Sequence, residues 1–316
     1  MKKIAFIFPG QGVQHVGMSR DLYDAYPAVR RWMDTANQAS GIELLRLCFE
    51  GPEEELTRTC NAQPAILAAS VAALIPLQEA LSECGMPQPS YAAGLSLGEY
   101  TALVCAGSLT ALDAVRLVRQ RGLFMEEAGA ATGGTMASIL GLDRPTVDTI
   151  CAEVGGMVRA ANYNAPGQIV LSGEPDAVAR AGALAKERGA RRVIPLKVSG
   201  AFHSPLMQPA ADRLVVELSR TAISDADIPV VANVTGKPVH TAAEIRAALE
   251  AQVTGSVLWE DSVRLMAANG VTTFVEVGPG QVLSGLVRRI VPEAQTLQAG
   301  DVAGIAATVE ALKANN

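Results

Sequence analysis

Short runs of β-branched and aromatic residues alternate along the chain with longer stretches whose apolar positions recur at helical spacing. Lys3 to Phe8 is an apolar run that ends at Pro9-Gly10-Gln11-Gly12, the pattern of a strand followed by a glycine turn. Helical patterns fill most of Pro27 to Cys84, including an alanine-rich stretch from Ala65 onward for which Pro64 suits the first turn. A second short strand, Tyr91 to Ala93, runs into Gly94-Leu95-Ser96-Leu97-Gly98, and helices are predicted over Glu99 to Ala106 and Leu112 to Ala128. Buried strands alternating with amphipathic helices predict an α/β chain with a parallel sheet covered on both faces.

The pattern changes at Gly129 to Gly134, where Gly, Ala and Thr interrupt the helical spacing. Beyond it the predicted order is strand Thr135 to Leu140, helix Arg144 to Val154, strands Val158 to Ala161 and Gln168 to Ser172, helix Pro175 to Arg188, and strand Arg192 to Val198. This βαββαβ series is the ferredoxin-like arrangement, and it closes on itself. The expected organisation is a large domain split into residues 1–127 and 199–316, with a small domain, 128–198, inserted between them. In the second half, strands are expected near Ile228 to Ala232 and Thr273 to Val277, with helices between and after them.

Composition narrows the function classes. The longest apolar run, Ala65 to Leu77, is interrupted by Ser70 and Pro76 and is shorter than the roughly 20 residues a bilayer helix needs, so no membrane span is expected. Only Ile4 to Phe8 follow Lys2 and Lys3 before Pro9-Gly10, too short for a signal-peptide core, and a cytoplasmic location is expected. The 5 cysteines (Cys48, Cys60, Cys84, Cys105, Cys151) are odd in number and far apart, which reads as buried thiols in a reducing compartment. With only 3 histidines, none at helical spacing from another, no metal site is expected. A net charge of −6 argues against nucleic acid as the main partner.

Gly94-Leu95-Ser96-Leu97-Gly98 is the strongest chemical signal, because it lies between a predicted strand and a predicted helix. A nucleophile elbow needs that placement: the glycines relieve crowding at a sharp turn, and the serine oxygen stands at the positive end of a helix. A serine hydroxyl needs a base. His203 is the favoured one, in a loop where Ser204 suits an N-cap and Pro205 the first helical position; His15 and His240 are the other two histidines and could equally lie on the surface. The Leu97 N–H would supply one oxyanion donor, and the Gln11 N–H, leaving the first strand, is a candidate for the other. Arg116, Arg119 and Arg121 crowd one helix, either as a solvated face or with one pointing inward to pair with a substrate carboxylate. Asn162, Asn164, Gln63 and Asn233 lie in strongly apolar surroundings and could be turn residues or pocket donors.

Taken together, Pro9-Gly10-Gln11-Gly12, Gln63-Pro64-Ala65, Gly94-Leu95-Ser96-Leu97-Gly98-Glu99, Arg121-Gly122, Asn162 with Asn164, Ala201-Phe202-His203 and Glu276-Val277-Gly278-Pro279-Gly280 resemble the malonyl-CoA:acyl carrier protein transacylases. The resemblance implies an α/β-hydrolase-like large domain with a ferredoxin-like insert. It implies Ser96 as the nucleophile that takes malonyl from coenzyme A, His203 as base and then acid, and the Gln11 and Leu97 N–H groups as the oxyanion hole. Arg121 would bind the malonyl carboxylate, Gln252 would orient the histidine with Asn233 assisting, and Gln63, Leu95, Phe202 and Asn162 would line the pocket. Leu95 departs from the family, where histidine commonly precedes the nucleophile, and makes that wall apolar. Ala201-Phe202 pulls toward malonyl, since in related polyketide acyltransferases it accompanies that unit.

The implied reaction is ping-pong transfer to the pantetheine thiol of a holo acyl carrier protein, with malonyl-CoA and the carrier as substrates, no permanently bound cofactor, and a monomeric enzyme. A polyketide acyltransferase or the transacylase of a malonate decarboxylase would share the site. A hydrolase editing stalled carriers, or a silent carrier-binding module, are the readings from other classes. Carriers of this kind are acidic, so a local basic face is expected, either at Lys186, Arg188, Arg191 and Arg192 or at Arg288 and Arg289.

Overall fold

A computed structural model describes residues 2–86 and 88–314. Its larger sheet has six strands in the order β10-β9-β1-β2-β7-β8. They are β1 (Lys3–Phe8), β2 (Tyr91–Gly94), β7 (Val230–Val231), β8 (Pro238–Val239), β9 (Val271–Val277) and β10 (Gln295–Ala299). All neighbours are parallel except β8, which runs antiparallel to β7. Every residue of β1 after Lys3 is buried, as expected of a parallel strand covered on both faces. Apolar side chains on one face, such as Phe6 and Phe8, pack with the helices of the first half, while Ala5 and Ile7 join Trp259, Phe274 and Leu283 on the other.

The second sheet is antiparallel, in the order β4-β5-β3-β6. It is made of β3 (Thr135–Leu140), β4 (Val158–Ala165), β5 (Gln168–Gly173) and β6 (Arg192–Pro195), with helices Arg144–Glu153 and Pro175–Glu187 between them. Element type and order follow the βαββαβ pattern. β4 runs past its predicted end because its pairing with β5 continues through Ala165, and Tyr163 N–H donating to Val257 O at 2.9 Å and Val257 N–H to Ala161 O at 2.8 Å stitch it to the chain leading into helix Trp259–Ala268. β6 is shorter than predicted: Leu196 N–H still donates to Met136 O at 3.0 Å, and Lys197 and Val198 leave the ladder to line a cleft.

Four local expectations are corrected. Pro64 lies inside helix Thr59–Glu83, not in its first turn. It has no N–H to give to the Cys60 carbonyl, and Arg119 Nη1 takes that acceptor instead at 2.7 Å. The same helix extends well beyond the Ala65–Leu77 run, and by length and composition it could cross a membrane; 72% of its most apolar window is buried inside the protein. Helix Ala111–Thr132 continues through Gly129 and ends at Gly133, where φ is 66°. Gly129 serves close approach, because a Cβ there would lie 2.1 Å from Ser199 O. Among the cysteines, Cys48 and Cys60 are buried, but Cys84 is exposed, and all five are free thiols.

Candidate active site

The turn from β2 into helix Gly98–Cys105 is tight enough to dictate its glycines. A Cβ on Gly94 would sit 2.0 Å from the Gly98 carbonyl, and one on Gly98 would sit 2.1 Å from Phe8 O. Ser96, between them, has φ of 53°, a left-handed conformation that costs a non-glycine residue about 1–3 kcal/mol. Asn233 holds it there. Its Oδ1 accepts from Ser96 N–H at 2.6 Å while its Nδ2 donates to Gly94 O at 2.7 Å. Asn233 thus braces the elbow and makes no hydrogen bond to His203, which corrects its expected role in orienting the histidine. It lies two residues beyond the end of β7, the strand beside β2 in the sheet, which places it at the elbow.

His203 also has a positive φ, 58°, and its side chain is buried. Ser204 caps the short 3₁₀ turn that follows, with Pro205 at its first position, as predicted. The imidazole Nδ1 lies 2.9 Å from the backbone carbonyl of Gln252 and its Nε2 lies 2.8 Å from Ser96 Oγ. A carbonyl only accepts, so Nδ1 carries the proton and Nε2 is the free base facing the hydroxyl. Burial, reinforced by the Arg121 charge, lowers the His203 pKa to about 4, so the ring is neutral at physiological pH. His15 and His240 are exposed and outside the site.

Arg121 resolves the arginine cluster. Arg116 pairs with Asp113 on the surface and Arg119 serves the Cys60 carbonyl, whereas the Arg121 guanidinium is 1% exposed. It donates from Nη1 to Gln63 Oε1 at 2.7 Å, and from Nη2 to Ser96 Oγ at 3.1 Å and Gln252 Oε1 at 3.0 Å. Its Nε–H has no acceptor, and no carboxylate lies within ion-pair distance among the described residues. The ring of Tyr100 lies 5.4 Å from its central carbon. Burial lowers the pKa of this group. A buried cation with an unused N–H and no paired anion has the chemistry to accept a carboxylate.

These groups open on a cleft of about 310 Å³ between the antiparallel sheet and the loops and helices around the elbow. Gln11, Gln63, Leu95, Leu97 and Phe202 line it from one side, and Met136, Asn162, Asn164 and Val170 of the antiparallel sheet from the other. The loop bearing Gln11 is fixed against the elbow by Leu95 N–H donating to Phe8 O at 3.1 Å. A larger cleft of about 1070 Å³, lined by residues such as His15, Asp21 and Asp301, contains none of the groups above.

Sequence reasoning missed two parts of the site. Lys197 lines the cleft from the segment predicted as strand. Glu99 is buried behind the elbow with a pKa raised by burial to about 7, and its Oε2 accepts from Gln252 Nε2 at 2.8 Å and Asn233 N–H at 3.1 Å. Its place three residues after the nucleophile, inside an apolar helix, was the available signal. The two expected basic clusters partly merge: Arg191, Arg192 and Arg289 line one surface cleft of about 590 Å³, while Arg188 pairs with Glu153.

Residues 5–310 match the model of a family described as acyl transferase domain. The chain is 47% identical to the malonyl CoA-acyl carrier protein transacylase of Bacillus subtilis (strain 168), covering 100% of this chain and 99% of that one. It is 45% identical to the protein of the same name from Escherichia coli (strain K12), with 98% and 100% covered. An acyl carrier protein S-malonyltransferase from Vibrio cholerae superposes with a TM-score of 0.91 at 42% identity, covering 97% of this chain and 99% of that one. A malonyl-transacylase solved in complex with its type II PKS acyl-carrier protein superposes with a TM-score of 0.91 at 43% identity, with 98% and 99% covered.

Proposed function

The chain belongs to the acyl transferase domain family, and from that premise we propose that it transfers malonyl from malonyl-CoA to the thiol of an acyl carrier protein through a malonyl-serine. The observation that carries this reading is the placement of Ser96 Oγ between the unprotonated Nε2 of His203, at 2.8 Å, and the buried guanidinium of Arg121, at 3.1 Å. One neighbour can take the hydroxyl proton. The other can hold the distal carboxylate of a malonyl group whose thioester carbon lies at the oxygen.

Ser96 Oγ attacks the thioester carbonyl as its proton passes to His203 Nε2. The Gln11 and Leu97 N–H groups, neither with an acceptor among the described residues, receive the oxyanion. Collapse breaks the carbon–sulfur bond, and the departing coenzyme A sulfur takes the proton from the imidazolium. The carrier's pantetheine thiol then gives its proton to His203, attacks the malonyl-serine, and the Ser96 oxygen leaves with the proton back in place. A carbonyl behind the histidine, where hydrolases often use a carboxylate, suffices because a thioester is an activated donor. In this reading residues 128–198 form an inserted unit whose sheet closes the acyl pocket, and malonyl-CoA and the holo carrier are transient substrates.

The test is to mix the protein with malonyl-CoA and holo acyl carrier protein and weigh the products. A malonyl mass gain on the carrier, abolished by Ser96→Ala, is expected. Free malonate with an unloaded carrier would assign the protein to hydrolysis instead. Carriers from fatty-acid and polyketide systems tested side by side would separate the two pathways, which share this chemistry.

A further inference from the structure

Glu99 takes no part in the steps above, yet its carboxylate is 2% exposed and stands in the first turn of the helix that follows the nucleophile. Its Oε2 accepts two hydrogen bonds from opposite halves of the site. One, at 3.1 Å, comes from the backbone of Asn233, the residue that braces the elbow. The other, at 2.8 Å, comes from the side chain of Gln252, the residue whose backbone carbonyl holds His203.

The Gln252 amide has a donor end and an acceptor end, and its surroundings tell them apart. Nε2 donates to Glu99 Oε2 and to Ser96 O at 2.9 Å, while Oε1 accepts from Arg121 Nη2 at 3.0 Å. The Ser96 carbonyl only accepts, and Glu99 Oε2, which already takes two N–H donors, is an acceptor whether or not the other carboxyl oxygen carries a proton. Turned over, the amide would set its oxygen against two acceptors and its NH₂ against a guanidinium. We propose that Glu99 is a positioning residue: by fixing which end of Gln252 faces Arg121, it holds the guanidinium in place at the cleft and so sets the preference for an acyl group that carries a carboxylate. This inference rests on the malonyl-transfer reading.

Charge placement supports it. Glu99 is the carboxylate that acts electrostatically on Arg121, and it does so across the intervening Gln252 amide. A direct ion pair would occupy the donors that a substrate carboxylate needs. A carboxyl one amide away makes no ion pair with the guanidinium and leaves its Nε–H without an acceptor.

The experiment compares wild type, Glu99→Gln, Gln252→Met and the double variant. Rates of malonyl and acetyl loading onto Ser96 are read by intact-protein mass, with thermal melts as a folding check. Glutamine at 99 keeps an acceptor for Asn233 N–H but lets its own NH₂ face Gln252, which removes the lock. Glu99→Gln is expected to lower the malonyl-to-acetyl ratio of kcat/KM by about tenfold or more, and to add little in the Gln252→Met background, as coupled neighbours do. A ratio unchanged from wild type, or full additivity in the double variant, would overturn the inference while leaving malonyl transfer intact. If Glu99→Gln does not fold, Glu99→Asp, which draws the acceptor back by one methylene, is expected to move the same ratio in the same direction. Failure of the wild type to load malonyl would instead refute the reading on which the inference rests.

Discussion

Replacing Arg121 by alanine removes a guanidinium that is 1% exposed and makes three hydrogen bonds inside the site. In the free protein Gln63 and Gln252 lose a donor each, and the buried charge disappears with them. These effects oppose one another in stability, so the informative readout is reactivity. With malonyl-CoA bound, the variant leaves a buried carboxylate without its cation, a loss of about 3–5 kcal/mol, or roughly a hundredfold to a few thousandfold in kcat/KM. Acetyl-CoA carries no carboxylate. It loses only the Arg121 bond to Ser96 Oγ, about 1.5 kcal/mol or near tenfold. The malonyl-to-acetyl ratio should therefore fall by about tenfold or more. The assay is single-turnover loading of Ser96 with each thioester, followed by intact-protein mass, and Arg121→Met serves as a companion that retains an apolar stem. Equal losses for the two acyl groups would refute the assignment of Arg121 as the carboxylate partner.

Three further outcomes are expected. His203, with its pKa lowered to about 4 from an ordinary 6.5, gives stability that is present above pH 6.5 and lost as pH falls toward 4; Glu99, raised from 4.5 to about 7, acts oppositely, its stability being present below pH 4.5 and lost as pH rises through 7. Between pH 6.5 and 5 the two nearly cancel, so Glu99→Gln should lose about 2 kcal/mol across that span and His203→Gln should gain about as much, as urea titrations at both pH values would show. Parallel pH slopes for wild type and both variants would be the contrary result. Asn233→Ala strands the Ser96 N–H and the Gly94 carbonyl and should destabilise by about 2 kcal/mol or more, with kcat for loading falling further than KM rises; a wild-type melt and rate would show that the elbow holds itself. Charge reversal at Arg191, Arg192 and Arg289 together should weaken carrier affinity and flatten its salt dependence without slowing malonyl loading from coenzyme A, and unchanged carrier binding would move the docking face elsewhere.

Much of the fold was legible because its strands are short, apolar and buried. β1 and β3 match their predicted limits, and the βαββαβ order of the antiparallel sheet follows from periodicity alone. β8 and β10 were not legible. β8 has two residues, and β10 is an edge strand reading Gln-Thr-Leu-Gln-Ala, so neither shows an apolar alternation to detect. Helix ends at Pro64 and Gly129 were misread for one reason: proline and glycine usually break helices, and here Arg119 and the Ser199 backbone accommodate them from elsewhere in the chain.

The same division holds in the site. Local sequence determined Ser96, because the elbow's glycines are required by contacts within a few residues and with the adjoining strand. It also reduced the choice of base to three histidines. The resemblance named Arg121 and Gln252, but periodicity did not choose them; that Arg121 turns inward, that the Gln252 carbonyl fixes the histidine tautomer, that Asn233 braces the serine and that Glu99 stands behind Gln252 are set by the tertiary structure. Those partners lie 25, 49, 137 and 153 residues apart. Periodicity records which face of an element is buried. It does not record which polar groups meet once the faces pack, and it is that meeting, away from water, that equips a buried arginine to hold a carboxylate and a neutral histidine to take a proton.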